Sequence, residues 1–187
     1  MLDWLKPEPG EIILDAACST ALYARFLGQR VPGLNLHAVD LSFGFLQRAK
    51  AYAEREGIEL NLVEAEVGDL PYRDGVFDAI VCGGSLNEFI DLERTLFDLG
   101  RVLKPRGRLW LMLVQRSRNP FGRSLQALLQ TTGLSFPCPE TVSSIAATAG
   151  LKLIKQRRVV DIAFNLFEQG ENDDHLQTPE GPIKQVR

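Results

Sequence analysis

Short apolar runs alternate with segments of helical periodicity along most of the chain. Each apolar run is short enough for a strand, and several end in a polar or small residue. Strand and helix signals that alternate in this way indicate βαβ units and a parallel sheet. The runs predict strands over Ile12–Ala16, Leu34–Asp40, Glu59–Glu66, Phe77–Cys82 and Arg108–Val114.

Capping residues and turn residues set the expected helix ends. A helix is predicted near Thr20–Gln29, and a second helix begins after Ser42 and stops at Gly57. Asp91, Asn119 with Pro120, and Pro139 mark the starts of three more helices, while 104–107 reads as a turn. From Leu151 to Glu168 the sequence is β-rich with no helix between its halves, which predicts two closely joined, antiparallel strands.

Length and composition favour one globular domain. The chain has 187 residues, and we assign residues 1–168 to a single α/β domain and residues 169–187 to a flexible polar tail. The net charge of −3 argues against a DNA-binding protein that relies on overall basicity. No apolar run is long enough to span a bilayer, and the first ten residues do not resemble a signal peptide, so we expect a cytoplasmic protein. Three cysteines and two histidines suggest neither a disulfide framework nor a metal site.

Acidic residues lie where three predicted strands end. Strand one ends at Asp15 before a turn of small residues, strand two ends at Asp40, and strand three ends at Glu66. Ligands of open α/β sheets bind outside the carboxyl ends of the strands. A carboxylate at the end of strand two suits the two hydroxyls of a ribose, and an acid ending strand three could accept from an adenine amine.

Five segments together resemble the class I methyltransferases, in particular the ubiquinone and menaquinone biosynthesis methyltransferase family. They are ILDAACSTALYARFLG, HAVDLS, EVGDLPYRDGVFDAIVCGGSLNEF, RVLKPRGRLWLMLV and TGLSFPCPETVSSIAATAGLKLI. The resemblance implies a Rossmann-like sheet of order 3-2-1-4-5-7-6 with strand seven antiparallel, the cofactor S-adenosyl-L-methionine, and a small-molecule acceptor. The cofactor-binding residues that it implies are Asp15, Ala17, Cys18, Ser19, Ala21, Asp40, Leu41, Glu66, Val67 and Gly83.

The first motif departs from the family pattern. Ala17, Ser19 and Ala21 stand where these enzymes usually carry glycines. Each added β-carbon narrows the site, but alanine and serine fit if the backbone stays at negative φ. On that premise we expect cofactor binding to be retained. Cys18 and Cys82 are interpreted as small buried residues and not as nucleophiles.

Candidate acceptor residues follow strands four and five. Asn87 and Glu88 are catalytic candidates, and Asn87 could also contact the acceptor; a cap or loop role is the alternative for both. From Leu99 to Pro139 there are seven basic residues and no acidic one. Of these, Arg116 and Arg123, with Phe121, are candidates for binding an anionic or amphipathic acceptor, with plain solvation as the alternative. Only about ten residues precede strand one, too few to form helices that cover the acceptor. We therefore expect residues 115–135 to form the wall of the acceptor pocket.

The sequence is also compatible with other functions. The missing glycines would also suit a methyltransferase-like binding protein that has lost catalysis, and the basic stretch would suit an RNA methyltransferase, although RNA is not the favoured partner. A nicotinamide-dependent dehydrogenase is disfavoured because no G-x-G-x-x-G follows strand one. The sequence does not fix the oligomeric state, and a homodimer is one option.

Overall fold

A computed structural model describes residues 1–88 and 91–171 of the chain. Of the predicted polar tail, residues 172–187 therefore lie outside the described part. The strands are β1 Ile12–Ala16, β2 Asn35–Asp40, β3 Asn61–Glu64, β4 Phe77–Gly83, β5 Leu103–Val114, β6 Leu151–Val159 and β7 Ile162–Gln169. The helices are α1 Leu2–Leu5, α2 Leu22–Arg30, α3 Phe43–Glu56, α4 Leu92–Val102, α5 Pro120–Gln130 and α6 Pro139–Thr148, with a 3₁₀ turn at Leu86–Glu88.

One sheet carries the whole arrangement, in the order β3-β2-β1-β4-β5-β7-β6. Strands β1 to β5 pair in parallel, and β7 runs antiparallel to both β5 and β6. This confirms the predicted fold class and strand order. The order reverses at β1, so the carboxyl ends of β1 and β4 flank the crevice where such sheets bind ligands.

Apolar side chains of the central strands β1, β4 and β5 are buried on both faces of the sheet, where helices pack against them. On one face Leu14, Ile80 and Leu111 pack in a cluster that also contains residues of α4 and α6. On the other face Ile13 and Val81 pack with Leu27 of α2. Burial on both faces explains why these strands read as continuous apolar runs in the sequence.

Most predicted helix ends agree with the structure. Asp91 accepts a hydrogen bond from Arg94 N, Asn119 accepts one from Phe121 N, and Gly57 ends α3 with φ of 68°. The Ser42 side chain, in contrast, makes no capping hydrogen bond to α3. Its backbone N–H donates to Asp40 Oδ1 at 2.9 Å instead, so the strand-end acid fixes the start of α3.

Two strands, β3 and β5, differ from their predicted bounds by more than one residue. β3 is shorter than predicted at both ends. The predicted turn at 104–107 lies inside β5 as an irregularity, because Leu103 pairs with Phe77 and the next partner along the chain, Arg108, pairs with Ala79. No helix in the described residues is both long and apolar enough to cross a membrane.

Candidate active site

The turn between β1 and α2 has the backbone conformation of a glycine-rich loop although it contains no glycine. Ala17, Ser19 and Ala21 have φ of 52°, 50° and 53°, all in the left-handed region. The premise that φ stays negative here is therefore wrong. L-residues reach this region only at a steric cost, and strain of this kind is found where surrounding structure fixes the chain. The alternating left-handed residues hold the turn in a tight coil at the carboxyl end of β1.

Asp40 holds this turn in place from the neighbouring strand. Its Oδ2 accepts a hydrogen bond from Ser19 N at 2.7 Å, while its Oδ1 accepts the bond from Ser42 N. Cys18 N donates to Val39 O at 2.9 Å, which adds a second link between the turn and β2. A carboxylate has about four lone-pair sites, so Asp40, which is half-buried, keeps acceptor capacity for further donors.

Asp15 is buried beneath the same turn. Its Oδ2 accepts a hydrogen bond from Ala24 N in α2 at 2.9 Å. Its Oδ1 has no hydrogen-bond partner among the described residues. Burial raises the pKa of Asp15 to about 7, and the backbone N–H groups of Ala24 and Tyr23 offset only part of this effect. The carboxyl is thus poised between its neutral and ionised forms near neutral pH, with one oxygen free for a donor or a cation.

The remaining residues of the predicted cofactor site surround this turn at the carboxyl end of the sheet. Leu41 follows β2 and is exposed, Glu66 lies two residues beyond the end of β3 and is exposed, and Val67 next to it is buried. Gly83 ends β4, where the Tyr23 ring leaves no space for a β-carbon. The structure therefore places these candidates at the ends of β1 to β4, as the strand pattern predicts.

The thiols near the site are not activated. Cys18 and Cys82 are both buried. Burial raises the pKa of Cys18 far above its ordinary value and that of Cys82 to about 12. Both remain neutral thiols at physiological pH, which agrees with the interpretation of these residues as small packing groups. No group of three His, Cys, Asp or Glu side chains in residues 1–88 and 91–171 could hold a metal ion.

Asn87 is hydrogen-bonded to two other segments of the chain. It is buried, and its Nδ2 donates to Val114 O and to Ser135 O, each at 2.6 Å. Its Oδ1 accepts from Val114 N at 2.8 Å. The side chain joins the end of β5 to the segment before α6, which supports the alternative of a structural role in the loop. The catalytic and acceptor-binding role of Asn87 stays a prediction. Glu88 is exposed at the end of the 3₁₀ turn, and its catalytic role stays a prediction.

The structure brings Arg116 and Arg123 together but separates them from Phe121. The two arginines line a cleft of about 500 Å³ between α5 and the start of α6, with Phe136 and Cys138 on its other side. Phe121 is absent from this cleft and lies exposed on another side of α5. The cleft lies beyond the end of β5, so it is a candidate for the polar part of an acceptor site.

Three further contacts shape the site and were not predicted. The Tyr23 ring packs on Trp110, with 5.5 Å between ring centroids, and its hydroxyl lies 3.8 Å from Met112 Sδ. Ser85 Oγ donates to Ala17 O at 3.3 Å, which ties the end of β4 to the strained turn. These partners are far apart in the sequence; only the acidic and glycine-rich strand ends signal that the segments meet.

Comparisons with known proteins agree with this geometry. The model of the methyltransferase domain family matches residues 14–111. A demethylmenaquinone methyltransferase from Thermus thermophilus is 31% identical over 75% of this chain and 74% of its own length. A 2-phytyl-1,4-naphthoquinone methyltransferase from Nostoc is 34% identical over 67% of this chain, which spans 56% of that protein.

A solved structure shows the same fold. The phosphoethanolamine N-methyltransferase 2 from Haemonchus contortus, in complex with S-adenosyl-L-methionine, superposes with a TM-score of 0.81 at 14% identity. The superposition covers 91% of this chain and 51% of that one.

Proposed function

The chain belongs to the class I S-adenosylmethionine-dependent methyltransferases and resembles their ubiquinone and menaquinone biosynthesis family, and on that premise we propose that it methylates a quinone-type small molecule. Curated relatives from two groups carry names with naphthoquinone-type acceptors. The chain spans only about half of the 2-phytyl-1,4-naphthoquinone enzymes, so the acceptor is proposed here from the shared part.

The observation that carries the cofactor part of the proposal is the coil at residues 17–21. Ala17, Ser19 and Ala21 are all left-handed, so the turn has the shape of a glycine-rich cofactor turn although it contains no glycine. The hydrogen bond from Ser19 N to Asp40 couples that shape to the acid at the end of β2. Since a left-handed alanine costs about 1 to 2 kcal/mol relative to the right-handed form, a turn with no ligand to hold would have little reason to keep it.

Three acids fit a bound cofactor. Asp40 has acceptor capacity for ribose hydroxyls, and Glu66 is exposed beyond β3 for an adenine amine. The unpartnered Oδ1 of Asp15 is buried beside the turn, where it suits a donor or positive charge of the methionine part. When bound, S-adenosylmethionine supplies a methyl group already activated on a sulfonium. The chain therefore needs to position two reactants and exclude water more than it needs a nucleophile.

On the acceptor side, the cleft with Arg116 and Arg123 offers two cations to an anionic oxygen. An ionised ring hydroxyl would be stabilised by a guanidinium within hydrogen-bonding reach. Gln130 and Thr141 also line this cleft, but the two arginines are its charged groups. We therefore assign the arginines to acceptor orientation.

Transfer of a labelled methyl group tests the proposal. Purified protein is incubated with S-adenosylmethionine labelled in its methyl group and, in parallel, with a reduced naphthoquinone that lacks the ring methyl group or with total RNA. Label on the naphthoquinol supports the proposal. Salt-sensitive label on RNA would instead make the chain an RNA methyltransferase, and cofactor binding without transfer to either acceptor would count against the proposed acceptor class.

A further inference from the structure

Helix α5 has its polarity reversed relative to an ordinary surface helix. Its only buried side chain within Pro120–Gln130 is that of Gln126, which donates to Gln115 O at 3.0 Å and accepts from Ser117 N at 2.7 Å. The apolar side chains point outward: Phe121 is 79% exposed, Leu125 51% and Leu128 66%. Their spacing of four and three residues places them on one stripe. Helix α5 is thus held to the domain by the hydrogen bonds of Gln126, while its apolar stripe is exposed. Such an exposed stripe is typical of a surface that binds another partner.

The β6–β7 hairpin adds a second apolar projection beside α5. Val160 at its tip is 85% exposed, and Val159 and Ile162 on either side are also exposed. The tip lies next to the first turn of α5, because Asp161 Oδ2 is 3.6 Å from the position that a β-carbon on Gly122 would take. In addition, Gln115 N donates to Asp161 O at 2.8 Å. The stripe and the tip together form one surface, which we call the α5–hairpin surface.

Arginines flank this surface. Arg118 precedes α5 and Arg157 precedes the hairpin tip, and both are exposed. Arg123 belongs to the opposite side of α5, where it lines the cleft. Within the described residues no carboxylate forms an ion pair with Arg118 or Arg157. Asp161 at the tip is itself paired with Arg158 at 3.0 Å. Glu140 at the start of α6 lies close enough to Arg118 for their charges to interact. Arg118 and Arg157 thus form no ion pair in the described part of the chain, although acidic groups also lie beside the surface.

We propose that the α5–hairpin surface docks the protein on an anionic lipid bilayer. Exposed apolar side chains flanked by arginines match the two parts of such an interface: the acyl boundary takes the apolar groups, and anionic headgroups take the guanidinium groups. A second copy fits less well, because a two-fold contact would bring the same arginines of both chains against each other. Both projections lie at the carboxyl end of β5, the same end of the sheet as the candidate active site.

Vesicle binding tests the docking surface without cofactor or acceptor, so its outcome is independent of the proposed function. The protein is floated with vesicles of phosphatidylcholine alone and with vesicles that also contain phosphatidylglycerol. Leu125→Gln with Leu128→Gln removes most of the stripe without touching buried groups, and Phe97→Gln is the control, since Phe97 is 60% exposed on α4. Arg118→Gln and Arg157→Gln test the charge, with exposed Arg73→Gln as their control.

We expect binding to the anionic vesicles only. The double leucine variant should bind at least about tenfold more weakly, and each arginine variant about fivefold more weakly at low salt. The Phe97 and Arg73 variants should bind like the parent protein. Equal binding to both vesicle types, no binding to either, or a self-association that the leucine substitutions abolish would each overturn the proposal.

Discussion

Replacing Ser19 by glycine should make the protein more stable. Ser19 has φ of 50°, and its hydroxyl forms no hydrogen bond within the described part of the chain. The left-handed conformation costs an L-residue about 1 to 2 kcal/mol, which glycine avoids. Glycine in turn lowers stability by about 0.4 to 1 kcal/mol because it gives the unfolded chain more freedom. The net gain is therefore about 1 kcal/mol, or roughly 2 to 4 °C in Tm for a domain of this size.

Two alanine-to-glycine variants, one in the same turn and one in a helix, provide the comparison for the stability of Ser19→Gly. Ala21 is fully buried, so Ala21→Gly also loses the burial of a methyl group, about 0.8 kcal/mol, and should change stability little. Ala51 is exposed inside α3, where Ala51→Gly should lower stability by about 1 kcal/mol. Urea and thermal denaturation without cofactor measure all three variants. If Ser19→Gly destabilises the protein as much as Ala51→Gly does, the backbone at residue 19 is not left-handed and the reasoning fails.

Three further predictions concern the site. The pKa of Asp15 is raised from 3.8 to about 7, so the folded state holds this proton more tightly than the unfolded state does, and the contribution of Asp15 to stability falls as pH rises from about 4 to about 7. The Tm of Asp15→Asn relative to that of the parent should therefore increase as the pH rises across this range and stay constant at higher pH. A Tm difference that does not depend on pH would contradict the assignment. Asn87→Ala should lower the free energy of unfolding in urea by about 2 to 4 kcal/mol, because it leaves backbone groups of Val114 and Ser135 without their hydrogen-bond partner; a stable variant with a lowered kcat would instead identify Asn87 as a catalytic residue. Arg123→Gln should raise KM for a naphthoquinol severalfold and leave the Kd for S-adenosylmethionine unchanged, whereas a change in that Kd alone would remove the cleft from the acceptor site.

Much of the fold was predictable because its physical cause is local. Central parallel strands are apolar on both faces, so β1, β4 and the second half of β5 stand out as runs, and Asp91 and Asn119 mark helix starts by their capping chemistry. The antiparallel β6–β7 pair follows from the absence of a helix between its halves. The acidic strand ends likewise predict that Asp15, Asp40 and Glu66 lie at one edge of the sheet.

The parts that could not be predicted depend on contacts between distant segments. Alanine and serine at positions 17, 19 and 21 suggest negative φ, and only the surrounding structure imposes the opposite sign. Asn87 is bound by groups 27 and 48 residues away, so its neighbours in sequence give no sign of its structural role. The periodicity of α5 predicts an apolar stripe but does not predict whether the stripe faces the core or the solvent. The hydrogen bonds of Gln126 turn that residue inward and leave the stripe exposed.

Calorimetric titration of S-adenosylmethionine into the protein and into Asp40→Ala tests the account most directly. Asp40 is assigned to the ribose, and loss of a charge-assisted hydrogen bond should weaken binding by about 1.5 to 3 kcal/mol, roughly 10-fold to 150-fold in Kd. Asp69→Ala, which removes an exposed carboxylate paired only with Arg94 at 3.6 Å within the described residues, should bind like the parent. Binding by the parent, with that loss confined to Asp40→Ala, is the predicted result. Absence of binding to the parent, or the same Kd for both variants, would contradict the assignment of the cofactor to the ends of β1 and β2.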